Sequence, residues 1–529
     1  MGVVRMGGPD SPSVNSVEEL LGRFQTLLLA ALPDWKQRLR QDPGSLPELE
    51  TAVRAVFYQG RDLVIAGLLA VVMQQPEFEQ ACEDTRRDHR QPLGQGRTRT
   101  IQVRLLGGLM IWISSLYCAP RKSSRSSESV PGLYVELAQF GFGKGCSPGL
   151  ESRVARQAAL CPSLAFARQE LARDGVNLDV KAVRRITYQC GAGLLRLRRH
   201  ELEEWRVGRL PAGTELRGKR VAVQIDGGRT KLRGALTPAA TTPEPTDDDG
   251  LPTTNVPGRS RRRAKRTFTA EWREPKQVII FTHDERGRME KDSLATIDAT
   301  FLGPDALAEL VAMHLHRLGA AQAANLTFGG DGAVWIWDRL PAIVRLAKLE
   351  HVPRHEVLDC CHAAHHISLA LAAFGLSDAE RMPLYREQRT QLRNGQWQRV
   401  VDDLVDLAAS SPQNEKLNTE IAYLRKHGEA GRLKYPTFRG LGLPLGSGAI
   451  ESSIRRVINL RLKGNGIFWR DEHAEEMIQV RSQVITNRWD ARLAALRQHR
   501  RVDGRSNWHW SPRAMTGNPE PAAHNPTKA

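Results

Sequence analysis

"KRVAVQIDGG", residues 219–228, decides how the rest of the chain is read. A short apolar, β-branched run closed by Asp-Gly-Gly has the length and ending of a buried strand, and it sets a carboxylate, Asp226, at the strand's carboxyl end. "KQVIIFTHD" (276–284) repeats that texture, and "SLATIDATFLG" (293–303) supplies a third strand. The amphipathic helix "PDALAELVAMHLHRLG" follows, with Leu307, Leu310, Val311 and Leu315 on one face. "ANLTFGGDG" (324–332) and "HEVLDCCHA" (355–363) are two more strands, each running into a helix. Three strands, then helix–strand–helix–strand, predict a mixed α/β sheet.

With 529 residues the chain exceeds one compact core, so two to four domains are expected. The formal charge of +17 favours a polyanionic partner, because each neutralised phosphate releases counterions. Membrane surface is the weaker alternative: there is no lipidation signal and no basic amphipathic helix. The longest apolar run, around "LLGGLMIWISSLYC", is too short to span a bilayer. No signal peptide opens the chain, and the seven scattered cysteines lack C-x-x-C spacing. A reduced, cytoplasmic setting is therefore expected.

Outward from the sheet, residues 1–95 read as a helical region, and 96–205 as a β-hairpin followed by a helix-turn-helix. In the hairpin, Ile101, Val103 and Leu105 alternate with Gln102 and Arg104 up to a two-residue Gly107-Gly108 turn, and Leu109, Ile111 and Ile113 return. In the helix pair, split at Asp174-Gly175, Leu164, Ala167 and Leu171 face inward on the first helix. Val180, Val183 and Thr187 do so on the second, which Asp179 caps. Lys181, Arg184 and Arg185 are then available to reach DNA. Any α-rich domain contains such pairs, so plain packing competes with DNA reading. The first part of the core covers 219–365 and contains a polar insertion at 235–270, expected to be disordered. In it, "RSRRRAKR" (259–266), with Arg261, Arg262 and Arg263, is a candidate phosphate-gripping arm. Residues 366–440 read as helical, 441–499 as the closing helices, and 500–529 as a disordered tail.

Asp331, in "FGGDGAVWIW", ends a later strand much as Asp226 ends the first. Side chains at the carboxyl ends of neighbouring strands converge on one crevice. Two carboxylates there repel unless cations lie between them, and hard divalent ions with oxygen ligands suit that position. "LPLGSGAIESSIRRVINLRLKGNGIFW" (443–469) offers a third carboxylate, Glu451, amid Arg455, Arg456, Arg461 and Lys463. Glu475 and Glu476 are its fallbacks. Each acid also has an ordinary reading. Asp226 suits a turn, Asp331 an N-cap, and Glu451 an i, i+4 pair with Arg455 contributing about 0.2–0.5 kcal/mol.

Taken in order, "VAVQIDGGRTKLR", "FGGDGAVWIW", "LDCCHAAHH" and "LPLGSGAIESSIRRVINLRLKGNGIFW" resemble a bacterial insertion-sequence DDE transposase of the ISKra group. The resemblance is clearest over 219–487. It implies a ribonuclease-H-like catalytic core with a helical insertion, preceded by a mainly helical DNA-binding region. It also implies Asp226, Asp331 and Glu451 as catalytic ligands of two Mg²⁺ ions, with Mn²⁺ a substitute. Asp359 and His362 match a C/DxxH signature that supports the site, although Cys360 and Cys361 stand where bulkier residues are expected. Structural zinc on these cysteines and histidines is a minor alternative. The implied partner is double-stranded DNA, as element ends and target. The implied assembly is a dimer or larger, in a nucleoid-associated setting. The rivals are a non-catalytic DNA-binding descendant and a related nuclease that cleaves without joining.

Overall fold

The computed structural model describes residues 2–89, 91–121, 132–143, 145–234, 269–409, 413–464 and 467–503. Arg261, Arg262 and Arg263 lie outside the described residues, as does most of the expected tail. The last helix runs past the expected boundary at 500, to Asp503.

The amino-terminal part combines β1 (Val3–Arg5), α1 (Val17–Gln41), α2 (Leu46–Val72), α3 (Pro76–Arg87), β2 (Arg97–Arg104), β3 (Met110–Cys118), β4 (Leu133–Tyr134) and α4 (Val135–Gln139). β2 and β3 form the expected hairpin, with Val103 opposite Ile111 and Ile101 opposite Ile113. Its loop holds three residues, Leu106–Gly108, instead of two, because Leu105 N–H donates to the Leu109 carbonyl at 2.9 Å. Gly108 there takes φ +95°, a left-handed conformation that favours glycine. β1 and β4 both pair with β3. Buried Asp62 of α2 accepts the N–H groups of Gly107 and Leu109 at 3.0 and 3.1 Å, pinning helix to hairpin. Pro43–Val72 is the one helix among the described residues long and apolar enough to cross a membrane. It is longer than the run around residues 105–118 taken above as the longest apolar stretch, and Arg54, Arg61 and Asp62 interrupt it.

α5 (Pro148–Leu160), α6 (Leu164–Arg173) and α7 (Val180–Arg206) pack together as a three-helix unit. Ala167, Leu171, Val183 and Thr187 are buried as the spacing predicts, and Asp179 caps α7 by accepting Ala182 N–H at 2.5 Å. Beyond its first turns α7 is buried from Cys190 to Arg198 against the last helices of the chain.

The central sheet contains β5 (Arg220–Gly227), β8 (Lys276–Thr282), β9 (Thr296–Thr300), β10 (Asn325–Gly330) and β11 (Arg354–Leu358). Between β5 and β8, a two-stranded ribbon forms from β6 (Thr230–Arg233) and β7 (Ala270–Arg273). The sheet order is β11-β10-β5-β8-β9, with β5, β10 and β11 parallel and β8 antiparallel to both neighbours. The chain is therefore of mixed α/β class.

The period-2 alternation of β5 divides the core in two. Val221, Val223 and Ile225 join α8 (Pro304–Leu318), α9 (Val334–Trp337), α10 (Leu340–Leu346) and α11 (Cys360–Ala373). That layer continues into α12 (Asp378–Arg393), α13 (Trp397–Ala409), α14 (Glu415–Glu429) and α15 (Tyr435–Gly440), which realise the expected helical stretch. Ala222 faces the other way, toward α5, α7, α16 (Gly448–Ile454), a π-helical turn Arg455–Asn459, α17 (Leu460–Leu462), α18 (Asp471–Ile485) and α19 (Trp489–Asp503).

Candidate active site

β5 and β10 are adjacent and parallel, so their carboxyl ends open on the same edge. Asp226 lies on the face of β5 that carries Gln224, toward α16. Asp331 stands two residues past the Gly329–Gln224 register pair, on the matching face of β10. Asp226 Oδ1 accepts the N–H of Gly227 at 2.6 Å. Burial first, then the nearby Asp331 and Glu451, push its carboxyl up to about 6 against the opposing Gly227 N–H and His362. Acids are thus gathered without a cationic side chain equal to them.

The glutamate arrives from a third element. Gln224 bridges β5 to the start of α16, donating to the Gly446 carbonyl at 2.8 Å and accepting Ile450 N–H at 3.2 Å. On the neighbouring strand, buried Gln277 donates to Ser453 at 2.5 Å. Asp359, only 4% exposed, caps α11 by accepting His362 N–H at 2.7 Å, and its other oxygen takes Ser447 N–H. One carboxylate therefore ties the DxxH turn to the turn before α16. Ser447 donates its hydroxyl to Glu451 at 2.5 Å, and His362 Nε2 lies 3.7 Å from the same oxygen. Glu451 remains 55% exposed, and among the described residues no ion pair joins it to Arg455. A π-helical turn begins four residues after it, at Arg455, a departure from α-geometry that often marks functional sites.

Asp331 is braced from the helical layer. Its carboxylate accepts Ala333 N–H at 2.9 Å and its carbonyl accepts the Tyr423 hydroxyl at 2.8 Å. Gly332 takes φ +90°, and a Cβ there would collide with that hydroxyl, so only glycine fits. Tyr423 stacks on His366 at 3.6 Å, and His366 pairs with Glu420 at 2.5 Å. Burial pushes buried His427, hydrogen-bonded to the Gly332 backbone, down to about 4, with Arg432 contributing. Gln224, Gln277, Ser447 and Tyr423 escaped the sequence reading. The one available signal was a polar side chain inside an apolar strand, at Gln224 and Gln277.

The basic residues divide. Arg455, Arg456 and Lys463 are exposed after Glu451, and Lys181, Arg184 and Arg185 are exposed at the start of α7. Arg461 is a correction: it is 4% exposed, donates to the Ala158 carbonyl at 3.3 Å and lies 5.0 Å over the Trp469 ring. Burial lowers its pKa, and it is closed off from any phosphate. Arg481 donates to the Ala159 carbonyl beside it, so both arginines satisfy the free carbonyls at the end of α5. The fallback acids are closed as well. Glu475 is fully buried and bonded to Arg198 at 2.6 Å, and Glu476 is buried.

Among the described residues, no three His, Cys, Asp or Glu side chains are gathered tightly enough to form a ready-made metal site, around Cys360 and Cys361 included. The Asp226–Asp331–Glu451 donors nevertheless suit a hard divalent cation. All are carboxylate oxygens, and the Asp226 carboxyl is raised by its burial first and by neighbouring Asp331 and Glu451 after it. Glu451, held by Ser447 and His362, stands beside the aspartates without closing on them. Comparison with family models, curated proteins and solved structures returns no match for this chain.

Proposed function

We propose that this protein is a DDE transposase of the ISKra group, cutting DNA at an element's inverted ends and joining the freed strands to target DNA. The observation that carries the reading is the convergence of Asp226, Asp331 and Glu451, from two parallel strand ends and one helix, on an edge where Asp226 is pushed up to about 6 by burial and its acidic neighbours. The strand order, with the second core strand antiparallel to the rest, supports a ribonuclease-H-like core. The helices between β11 and α16 support the reading of a helical insertion.

Two Mg²⁺ ions on these carboxylates would supply Lewis-acid activation of a water and stabilisation of the leaving oxygen. The chain's own residues do the rest. Gln224 and Asp359 fix the start of α16, Ser447 and His362 orient the Glu451 carboxylate, and Tyr423 holds the Asp331 backbone. Arg455, Arg456 and Lys463 grip the backbone phosphates of the strand being cut, and α7 meets the duplex through Lys181, Arg184 and Arg185. Hydrolysis leaves a 3′-hydroxyl, which attacks a target phosphodiester in line. One P–O bond forms as another breaks, with no covalent enzyme intermediate.

The test incubates the purified chain with labelled element ends and target plasmid, in Mg²⁺ or EDTA. Wild type is expected to join strands only in Mg²⁺. Glu451→Gln is expected to lose at least about 10²–10³-fold in rate while still binding ends. Undiminished joining by that variant removes Glu451 from the site. Cleavage without joining by wild type identifies a nuclease, and end binding without either step identifies a non-catalytic DNA-binding protein.

A further inference from the structure

The ribbon β6–β7 begins four residues after Asp226, so its first residue lies within about 14 Å of Asp226 along the chain. Its two sides differ. Thr230 and Leu232 are buried, and Arg233 N–H donates to the Trp469 carbonyl at 2.8 Å, seating the ribbon on the segment before α18. Trp272, directly across the strands from Lys231, is 54% exposed. Two cations sit at its ring: Lys231 Nζ at 5.0 Å and the Arg229 guanidinium at 5.5 Å from the centroid. The ribbon's acids are engaged or displaced from this spot. Glu274 pairs with Lys276 at 2.5 Å, and Arg273 pairs with Asp471 at 3.5 Å. Glu271 faces Leu232 one position away. Among the described residues neither Arg229 nor Lys231 is ion-paired.

Half of the Trp272 indole lies in water, while the other side of the ribbon, through Leu232, makes the contact with the core. The two cations lie over the ring; a flat, electron-poor partner would take their place against the indole, and they would turn to an anion attached to that partner. A nucleotide joins those two properties in one molecule. In a duplex, base faces are covered by their neighbours, so only an unpaired base can stack on a side chain. We propose that Trp272, flanked by Arg229 and Lys231, is a binding site for one unpaired base and its phosphate, in single-stranded DNA passing the candidate active site. This rests on the DNA reading of the chain and adds a substrate requirement to it: strand separation next to the cut.

The experiment measures anisotropy of the full chain with a fluorescein-labelled blunt duplex and with the same duplex carrying a short thymidine tail. Wild type is expected to bind the tailed duplex more tightly. Trp272→Ala should weaken tailed binding about 5- to 150-fold, toward the blunt value, with blunt binding unchanged. Trp272→Phe should retain most of the preference. Thermal unfolding of each variant should match wild type, because Trp272 seals no core. An equal loss on both duplexes, an unchanged tail preference in Trp272→Ala, or no tail preference in wild type overturns the proposal while leaving the DNA reading intact. Failure of wild type to bind either duplex overturns that reading and the proposal together.

Discussion

Two groups of acids border the central sheet of this molecule, and they are treated in opposite ways. Asp298 on β9 and Glu475 on α18 are fully buried around Arg198 of α7, bonded to it at 2.7 and 2.6 Å. His314 reaches Asp298 at 2.8 Å, and Gln479 donates to it as well. Burial alone raises Asp298, but Arg198 and His314 hold it well below the usual carboxylate range. Glu475, with fewer donors, stays raised by its burial. Among the described residues, Asp226, Asp331 and Glu451 bond to no arginine, only to backbone N–H groups, a serine and a histidine. Acid that is neutralised internally is architecture, here binding α7 to the sheet. Acid left short of positive charge, in a chain with a formal +17, is where the proposed function would place cations from outside.

Breaking the first group should have the largest effect. Arg198→Met strands two buried carboxylates and is expected to lower unfolding free energy by about 3–5 kcal/mol in urea titrations. A loss below 1 kcal/mol, on the order of a surface pair, would end the contrast drawn here.

Neutralising the second group should have the opposite sign. The folded carboxyl of Asp226 is raised from 3.8 to about 6, so the folded state binds the extra proton between those values. Stability therefore falls as pH rises through that window, and the full penalty applies above it. Asp226→Asn is expected to stabilise the protein by roughly 1–3 kcal/mol at pH 7.5, a gain that disappears toward pH 4. Equal gains at both pH values would assign the effect to packing.

The smallest effect sharpens the comparison most. Mg²⁺ at about ten times its dissociation constant should raise the stability of wild type by roughly 1.4 kcal/mol at pH 7.5, read as a shift in thermal midpoint. The shift should vanish in Asp226→Asn and persist in Glu476→Gln, whose buried acid lies outside the candidate site.

Much of this was legible before the fold was known. The central strands announce themselves through β-branched runs ended by glycine, and the hairpin through alternation, because those patterns are local. β1 and the β6–β7 ribbon were missed, being three or four residues long and held by what they pair with. The carboxylates could be nominated from strand ends, but Gln224 and Tyr423 acquire meaning only when distant segments meet. Arg461 was misjudged for the same reason: three bases share one stretch with it, and nothing local distinguishes the one folded under Trp469.

Helix α7 carries a final consequence. Its first two turns show Lys181, Arg184 and Arg185 to solvent, and about four turns later Arg198 is locked beside the sheet. The helix between Lys181 and Arg198, about 26 Å long and anchored this way, behaves as a ruler and not as a tether. Under the proposed function, the base pairs read at one end and the phosphate cut at the other stand at a set offset along the DNA, so the enzyme would find its cleavage position by measuring from the bases it reads.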